Sequence, residues 1–202
     1  MNQVSELDDE MLEDEELDMP SFKHSRVQTN LTVLLGNEER FETFVELSLD
    51  IGKMDLSQFR LKAKDELVPD ICIYKSPPIL NEEVDDDLLR VSQIPDLAIE
   101  VLSPSQSLNF LVRKMKAFLA LGVKSCWLVM PVIEVINIYS LNHRQTFDMN
   151  DTELVDKIMD IHLPIQKIFN RRKYQQTQTS ASVGWVNCSH PSLHETPPFI
   201  SW

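Results

Sequence analysis

Glycine and cysteine are scarce in this chain, and their scarcity excludes several classes of function. Only 4 of the 202 residues are glycine, and no glycine-rich loop is present to cradle a nucleotide phosphate. The 3 cysteines are odd in number and widely spaced, which argues against a disulfide framework and a four-cysteine zinc site. The sequence also lacks a GxSxG turn, so an α/β-hydrolase nucleophile is not expected.

Long apolar runs are missing as well. No segment approaches the roughly 20 apolar residues that a membrane-spanning helix needs, and the first residues are acidic rather than basic. We therefore expect neither secretion nor a membrane partner. The low cysteine content fits a reducing compartment, and we predict a cytoplasmic location. The composition, 43% hydrophobic and 25% charged, is typical of a globular protein.

Negative charge is concentrated at the N terminus. Residues 1–20 hold nine acidic residues and no basic one, and without these nine the formal net charge changes from -13 to -4. A domain with a net charge of only -4 can have a basic cleft beside acidic surfaces, so DNA is not excluded as a partner. We predict a disordered acidic tail over 1–19, one domain over 20–170 and a C-terminal tail of unknown role over 171–202.

Hydrophobic periodicity predicts an α/β protein. Helical spacing predicts one helix from Ser21 to about Leu35 and another from about Ser107 to Leu121, which Gly122 ends. Apolar alternation and apolar runs predict strands over 41–51, 68–74, 94–102, 126–130 and 135–139. The strand over 94–102 is the most apolar, which favours the centre of the sheet. Between these elements we expect a polar stretch over 52–66, an exposed excursion over 75–94 and a closing turn over 163–169.

Three acidic residues, Glu46, Asp70 and Glu100, lie in predicted strands beside apolar neighbours. Burying a carboxylate without a partner is costly, so something should compensate each of them. If the strands are neighbours in one sheet, the carboxylates converge on a site that a hard cation such as Mg²⁺ would neutralise. The alternative for each acid is a pairing with Lys or Arg, or plain solvation.

Basic residues follow on the predicted helix after Glu100, at Arg113, Lys114 and Lys116. Such residues usually form a solvated face, but a lysine near a metal–carboxylate site can orient the attacking water and stabilise charge on a phosphate. His24, on the first predicted helix, could contact a phosphate, and its alternative is a purely structural role.

Six ordered blocks between about Met19 and Phe169 carry a family resemblance, and they read MPSFKHS, FVELSLDI, VPDICIY, LAIEVLSPSQS, KMKAFLALGVKSCWLV and LPIQKIF. In this order they resemble the Uma-two endonuclease family of the PD-(D/E)XK, or restriction-endonuclease-like, superfamily. The resemblance implies a three-layer α/β domain in which helices flank a central mixed β-sheet. It also implies a divalent-metal site that cleaves phosphodiester bonds in DNA, with Mg²⁺ as cofactor and Mn²⁺ as a substitute.

Site residues follow from the resemblance position by position. Asp70 of VPD and Glu100 of IEVLSP match the two metal-binding acids. The superfamily motif would place its lysine at Leu102, whereas in this family Lys114 on the following helix matches it. Glu46 matches the Glu of the family's ELSLDI block, as an auxiliary ligand or base.

The sequence departs from the family pattern at Met130, where many relatives have Asp, and at Phe118, where Tyr is usual. Neither change touches a predicted metal ligand. Helix phase separates the two nearby lysines, because residues two apart on a helix point about 200° from one another. We therefore predict Lys114, and not Lys116, as the catalytic cation.

These inferences predict a Mg²⁺-dependent endodeoxyribonuclease. Two alternatives stay open: a catalytically inactive DNA- or protein-binding module that retains the nuclease fold, and a structural protein with an acidic interaction tail. DNA is the expected partner, and a homodimer is a further candidate assembly.

Overall fold

The computed structural model describes residues 20–52, 54–61, 66–78 and 89–170. Their elements in chain order are α1 (Phe22–Gly36), β1 (Glu42–Val45), β2 (Leu49–Asp50), a 3-10 turn (Leu56–Phe59), β3 (Glu66–Leu67), β4 (Ile71–Tyr74), β5 (Leu97–Val101), α2 (Leu108–Leu121), β6 (Ser125–Met130), β7 (Val135–Ser140), β8 (His143–Phe147), β9 (Glu153–Asp156), β10 (Ile161–Pro164) and α3 (Ile165–Phe169). The two predicted tails, over 1–19 and 171–202, lie outside the described residues.

Six of the described strands form one mixed sheet in the order β1-β4-β5-β6-β7-β8. Neighbouring strands in it run antiparallel, except that β5 and β6 are parallel. A parallel pair needs a crossover connection, and α2 supplies it. Strand β5 is buried along its whole length at the middle of the sheet, which confirms the central position predicted from its apolar sequence.

The sheet is covered on both faces, so the expected three-layer α/β domain, with helices flanking a central mixed β-sheet, is confirmed. On one face, β5 and β6 pack against α1, α3 and the β9–β10 hairpin, through a core that includes Leu31, Ile99, Trp127, Leu163 and Ile168. On the other face they pack against α2, through a core that includes Ala98, Leu111, Phe118, Cys126 and Leu128. Side chains alternate between the faces along a strand, so Glu100, two residues after Ala98, points towards α2.

Both long helices begin and end where local signals predict. The Ser21 hydroxyl caps α1 by accepting from the His24 backbone N–H, and the Ser107 hydroxyl caps α2 in the same way. Gly122 ends α2 with a φ of 108°, a left-handed conformation that suits glycine. None of the helices in the described ranges is long and apolar enough to cross a membrane.

The single strand predicted over 41–51 is wrong in its second half. Glu46 has a φ of 51°, which breaks the extended backbone after β1. Strand β2 then pairs with β3, and its Leu49 also bridges to Val91. The alternation of Leu47, Leu49 and Ile51 reflects burial of Leu49 and Ile51 beneath α2, away from the six-stranded sheet.

Other stretches between the predicted elements also differ from expectation. The polar stretch over 52–66 contributes buried Leu56 and Leu61 to the core beside α2. The excursion over 75–94 is exposed at residues 75–77 and at Leu89, but Val91 is buried, and residues 79–88 lie outside the described ranges. The closing segment is short helix α3, which packs Ile165 and Ile168 onto the core, as expected for 163–169.

Candidate active site

The strand register brings the three predicted acids into one row. Ile71 of β4 pairs with Val45 of β1 on one side and with Ile99 of β5 on the other. Continuing both antiparallel registers by one residue reaches a row of acids: Glu46, Asp70 and Glu100. The backbone of Asp70, one residue before β4, therefore lies next to that of Glu100 at the end of β5.

Lys114 reaches this row from α2. Its Nζ atom lies 3.2 Å from Glu100 Oε1 and donates a hydrogen bond to the Val68 carbonyl oxygen at 2.7 Å. Glu100 and Lys114 are both buried, and their opposite charges offset part of the free-energy cost of removing each from water. The other lysine, Lys116, is exposed on the same helix. The structure therefore places Lys114, and not Lys116, beside the predicted acids.

Asp70 is held from two other elements. The backbone N–H of Val101, at the end of β5, donates to Asp70 Oδ2 at 2.6 Å. The Nε2 atom of buried His24 lies 3.5 Å from the same oxygen. His24 can take this place because it lies in the first turn of α1, which Ser21 caps beside the strand ends. One carboxylate oxygen thus faces both the sheet and α1.

Glu46 and Gln28 complete the far side of the row. Glu46 is exposed, and its backbone N–H donates to the Asp70 carbonyl oxygen at 3.2 Å. The Gln28 Nε2 atom donates to that same carbonyl at 3.2 Å and to Glu46 Oε1 at 3.4 Å. Gln28 was not among the residues predicted from the sequence. Its spacing of four residues after His24, which places both on one helix face, is the signal that points to it.

An open cleft of about 420 Å³ lies over these groups and is lined by Pro20, His24, Glu46, Val68, Asp70, Gln106 and Lys114. Four of the predicted site residues therefore open onto one cleft, and Glu100 lies behind them against Lys114. Gln106 was also missed from the sequence. Its Oε1 atom accepts from the Ser103 backbone N–H at 3.2 Å, which anchors it in the turn before α2.

The groups at the cleft that could bind a metal ion include carboxylate oxygens, which are hard ligands. Within the described ranges, no three His, Cys, Asp or Glu side chains are grouped closely enough to hold a metal ion. Mg²⁺ commonly takes only one or two protein carboxylates and fills its remaining positions with water and substrate phosphate. Asp70, just before β4, and Glu100, near the end of the neighbouring β5, are two carboxylates that fit that requirement, and Asp70 lines the cleft.

The cysteines in the described sheet offer no competing chemistry. Cys126 is fully buried in β6, where burial, reinforced by the Glu100 and Asp156 carboxylates, raises the pKa of its thiol. Burial also raises the pKa of the Cys72 thiol to about 12. Both thiols stay protonated near neutral pH and are therefore poor nucleophiles and poor metal ligands.

Comparison with known proteins gives two matches. Residues 6–166 match the model of the Uma2 family, whose description is "Putative restriction endonuclease". Among solved structures, the chain is similar to a crystal structure described as a putative nuclease belonging to DUF820 from Anabaena variabilis ATCC 29413. The two share 25% sequence identity with a TM-score of 0.61, over 75% of this chain and 83% of that chain. No curated protein matches the sequence.

Proposed function

Because the chain belongs to the Uma2 family, we propose that it is a divalent-metal-dependent endonuclease that hydrolyses phosphodiester bonds in DNA. The observation that carries the proposal is the pair of acids at neighbouring strand ends: Asp70 lines an open cleft, and Glu100 lies beside the buried ammonium of Lys114, which lines the same cleft. The nuclease description of the similar crystal structure supports the same reaction class.

Asp70 and Glu100 are the residues that would hold the cation, with Mg²⁺ as the natural ion and Mn²⁺ as a substitute. When bound, such a cation polarises the phosphate and lowers the pKa of a coordinated water. Both carboxylates are already oriented without the cation. The Val101 N–H orients Asp70, and the Lys114 ammonium orients Glu100. Both contacts limit the rotamers of the two carboxylates.

The other polar groups of the cleft serve the substrate and the water. Lys114 opens to the cleft while bonded to Glu100 and Val68, so its ammonium can also donate to the attacking water. Glu46, exposed and lining the cleft, is the proposed acceptor of a proton from that water. His24 lines the same wall and is the proposed contact for a phosphate oxygen.

Cleavage of supercoiled plasmid tests the proposal. The wild-type protein should nick the plasmid with Mg²⁺ or Mn²⁺ and lose this activity with EDTA. Asp70→Asn and Glu100→Gln should each be inactive, whereas the matched control Asp160→Asn, at an exposed acid that pairs with Arg40, should nick at the wild-type rate. Metal-independent DNA binding without nicking would favour the inactive binding module, and neither binding nor nicking would favour the structural protein.

A further inference from the structure

Gln28 reaches the ends of two neighbouring strands from the middle of α1. Its Nε2 atom donates both to the main-chain carbonyl oxygen of Asp70 and to Glu46 Oε1. We infer that Gln28 is a positioning residue of the site, which fixes the peptide that carries Asp70 and orients the carboxylate of Glu46. The inference rests on the proposed nuclease function and assigns this side chain a part in it.

The Asp70 peptide needs such a contact because it lies just outside the regular sheet. Strand β4 begins at Ile71, one residue later. The Asp70 carbonyl oxygen accepts from the Glu46 backbone N–H and from the Gln28 side chain, each at 3.2 Å. Its carboxylate accepts from the Val101 N–H. Main chain and side chain of Asp70 are thus held from opposite sides, and Gln28 supplies one of these contacts.

Glu46 needs orientation for a different reason. Its side chain is exposed, so an unrestrained carboxylate would sample several rotamers. The Gln28 amide favours the rotamer in which Oε1 lies on the α1 side of the cleft. Because an amide is neutral, it restricts the carboxylate without cancelling the negative charge that a ligand or base requires.

A second amide on the same helix provides a matched control. Asn30, two residues later, donates its Nδ2 to the main-chain oxygens of Ile168 at 2.9 Å and Asn170 at 3.3 Å. Gln28 and Asn30 thus make the same kind of contact, side-chain amide to backbone carbonyl. The first contact is made to the site and the second to α3 and the residue after it.

Gln28→Met keeps the size of the side chain and removes the donor. We expect the kcat for Mg²⁺-dependent plasmid nicking to fall about tenfold while the KM for DNA changes less than about twofold, since the two hydrogen bonds to Asp70 and Glu46 are lost. When Glu46→Gln is already present, adding Gln28→Met should lower kcat by a smaller factor, because part of the effect of Gln28 is exerted through Glu46. Mn²⁺ affinity, measured by calorimetry without DNA, should fall severalfold.

Asn30→Leu should lower the melting temperature but leave kcat and Mn²⁺ affinity of the folded protein unchanged. The inference is overturned if Gln28→Met keeps wild-type kcat and Mn²⁺ affinity, or if Asn30→Leu reproduces its losses. Should the wild-type protein fail to nick DNA, the nuclease proposal fails, and Mn²⁺ calorimetry still decides whether Gln28 positions the acids. Absence of Mn²⁺ binding by the wild-type protein would overturn both.

Discussion

The ammonium of Lys114 lies 3.2 Å from Glu100 Oε1, and the two side chains are only 6% and 1% exposed. Charges this deeply buried are tolerable as a pair, because their attraction offsets much of the desolvation cost of each. Removal of one partner leaves the other charged and buried. Lys114 is therefore needed for the stability of the strand end as well as being the proposed donor to the attacking water.

Lys114→Met should abolish plasmid nicking and also destabilise the metal-free protein by about 3 kcal/mol or more, since Glu100 loses its counter-ion. Mg²⁺ should restore part of the stability, because a bound cation replaces the missing positive charge. Urea unfolding with and without Mg²⁺ measures both effects. Lys116→Met, at an exposed position of the same helix, should change stability by less than about 0.5 kcal/mol. An inactive Lys116→Met with an active Lys114→Met would contradict the assignment.

Mg²⁺ should stabilise the wild-type fold. A ligand that binds only the folded state at about 100 times its Kd raises the free energy of unfolding by about 2.7 kcal/mol. The double variant Asp70→Asn, Glu100→Gln removes both proposed ligand carboxylates, so its melting temperature should not respond to Mg²⁺. Thermal melts of both proteins in a magnesium series make the comparison, with equal ionic strength from NaCl as the control. An equal shift in both would place the metal elsewhere.

Asp156→Asn should destabilise the fold without a direct effect on the site. The buried Asp156 carboxylate accepts from Ser125 Oγ, from Trp127 Nε1 and from the backbone N–H groups of Ile158 and Met159. An amide in its place turns an acceptor into a donor, which leaves buried donors unsatisfied at a cost of about 2–3 kcal/mol. Urea unfolding should show this loss, while nicking per folded molecule stays at the wild-type level.

The exposed Asp160 is the matched control for that variant. Its φ of 56° suits Asn as well as Asp, so Asp160→Asn removes a charge without adding backbone strain. The lost surface pair with Arg40 contributes less than about 1 kcal/mol. Equal destabilisation by the two variants would show that the buried acceptor role of Asp156 is misassigned.

Acid stability should depend on Asp96. Burial alone would raise the pKa of Asp96, but hydrogen bonds from the Lys124 ammonium and the Lys75 backbone N–H, with the charges of both lysines, hold it below its ordinary value. The folded carboxylate is therefore ionised at pH values where the unfolded one is already protonated. Its stabilising contribution is present above the unfolded pKa and is lost as the pH falls below about 4 and through the folded pKa.

Asp96→Asn should accordingly lower stability at pH 7 and flatten its decline in acid. Urea unfolding across this pH range measures the slope. Lys124→Met removes the main partner and should flatten the decline in the same direction. If neither variant alters the acid slope, other carboxylates dominate it.

The ends of α1 and α2 could be predicted because their signals are local: Ser21 and Ser107 are N-caps, and Gly122 is a left-handed C-cap. The outer strand β8 was missed because it is largely polar and its burial does not alternate. The β9–β10 hairpin was missed because each of its strands has only four residues, too few for a clear period. Short polar strands take their conformation from neighbours that are distant in sequence.

For the candidate site, the sequence predicts the acidic residues more readily than the side chains that contact them. Asp70 and Glu100 stand out because carboxylates are rare among apolar strand residues. The contact between Lys114 and Glu100 depends on how α2 lies across β5, which spacing alone does not determine. Gln28 and Gln106 carry neither charge nor a recognisable motif. The four-residue spacing from His24 places Gln28 on the same helix face, but its contacts with Glu46 and Asp70, and the place of Gln106 in the cleft wall, follow only from the folded geometry.

At Glu46 the backbone conformation favours one kind of residue for stability, whereas the proposed function needs another. A φ of 51° is uncommon for a residue with a long side chain and costs about 1 kcal/mol relative to glycine or asparagine at such a corner. Selection for thermostability alone would therefore enrich Glu46→Gly or Glu46→Asn. Both substitutions delete the carboxylate at the rim of the cleft, so a protein improved by heat selection at this corner should be a poorer nuclease.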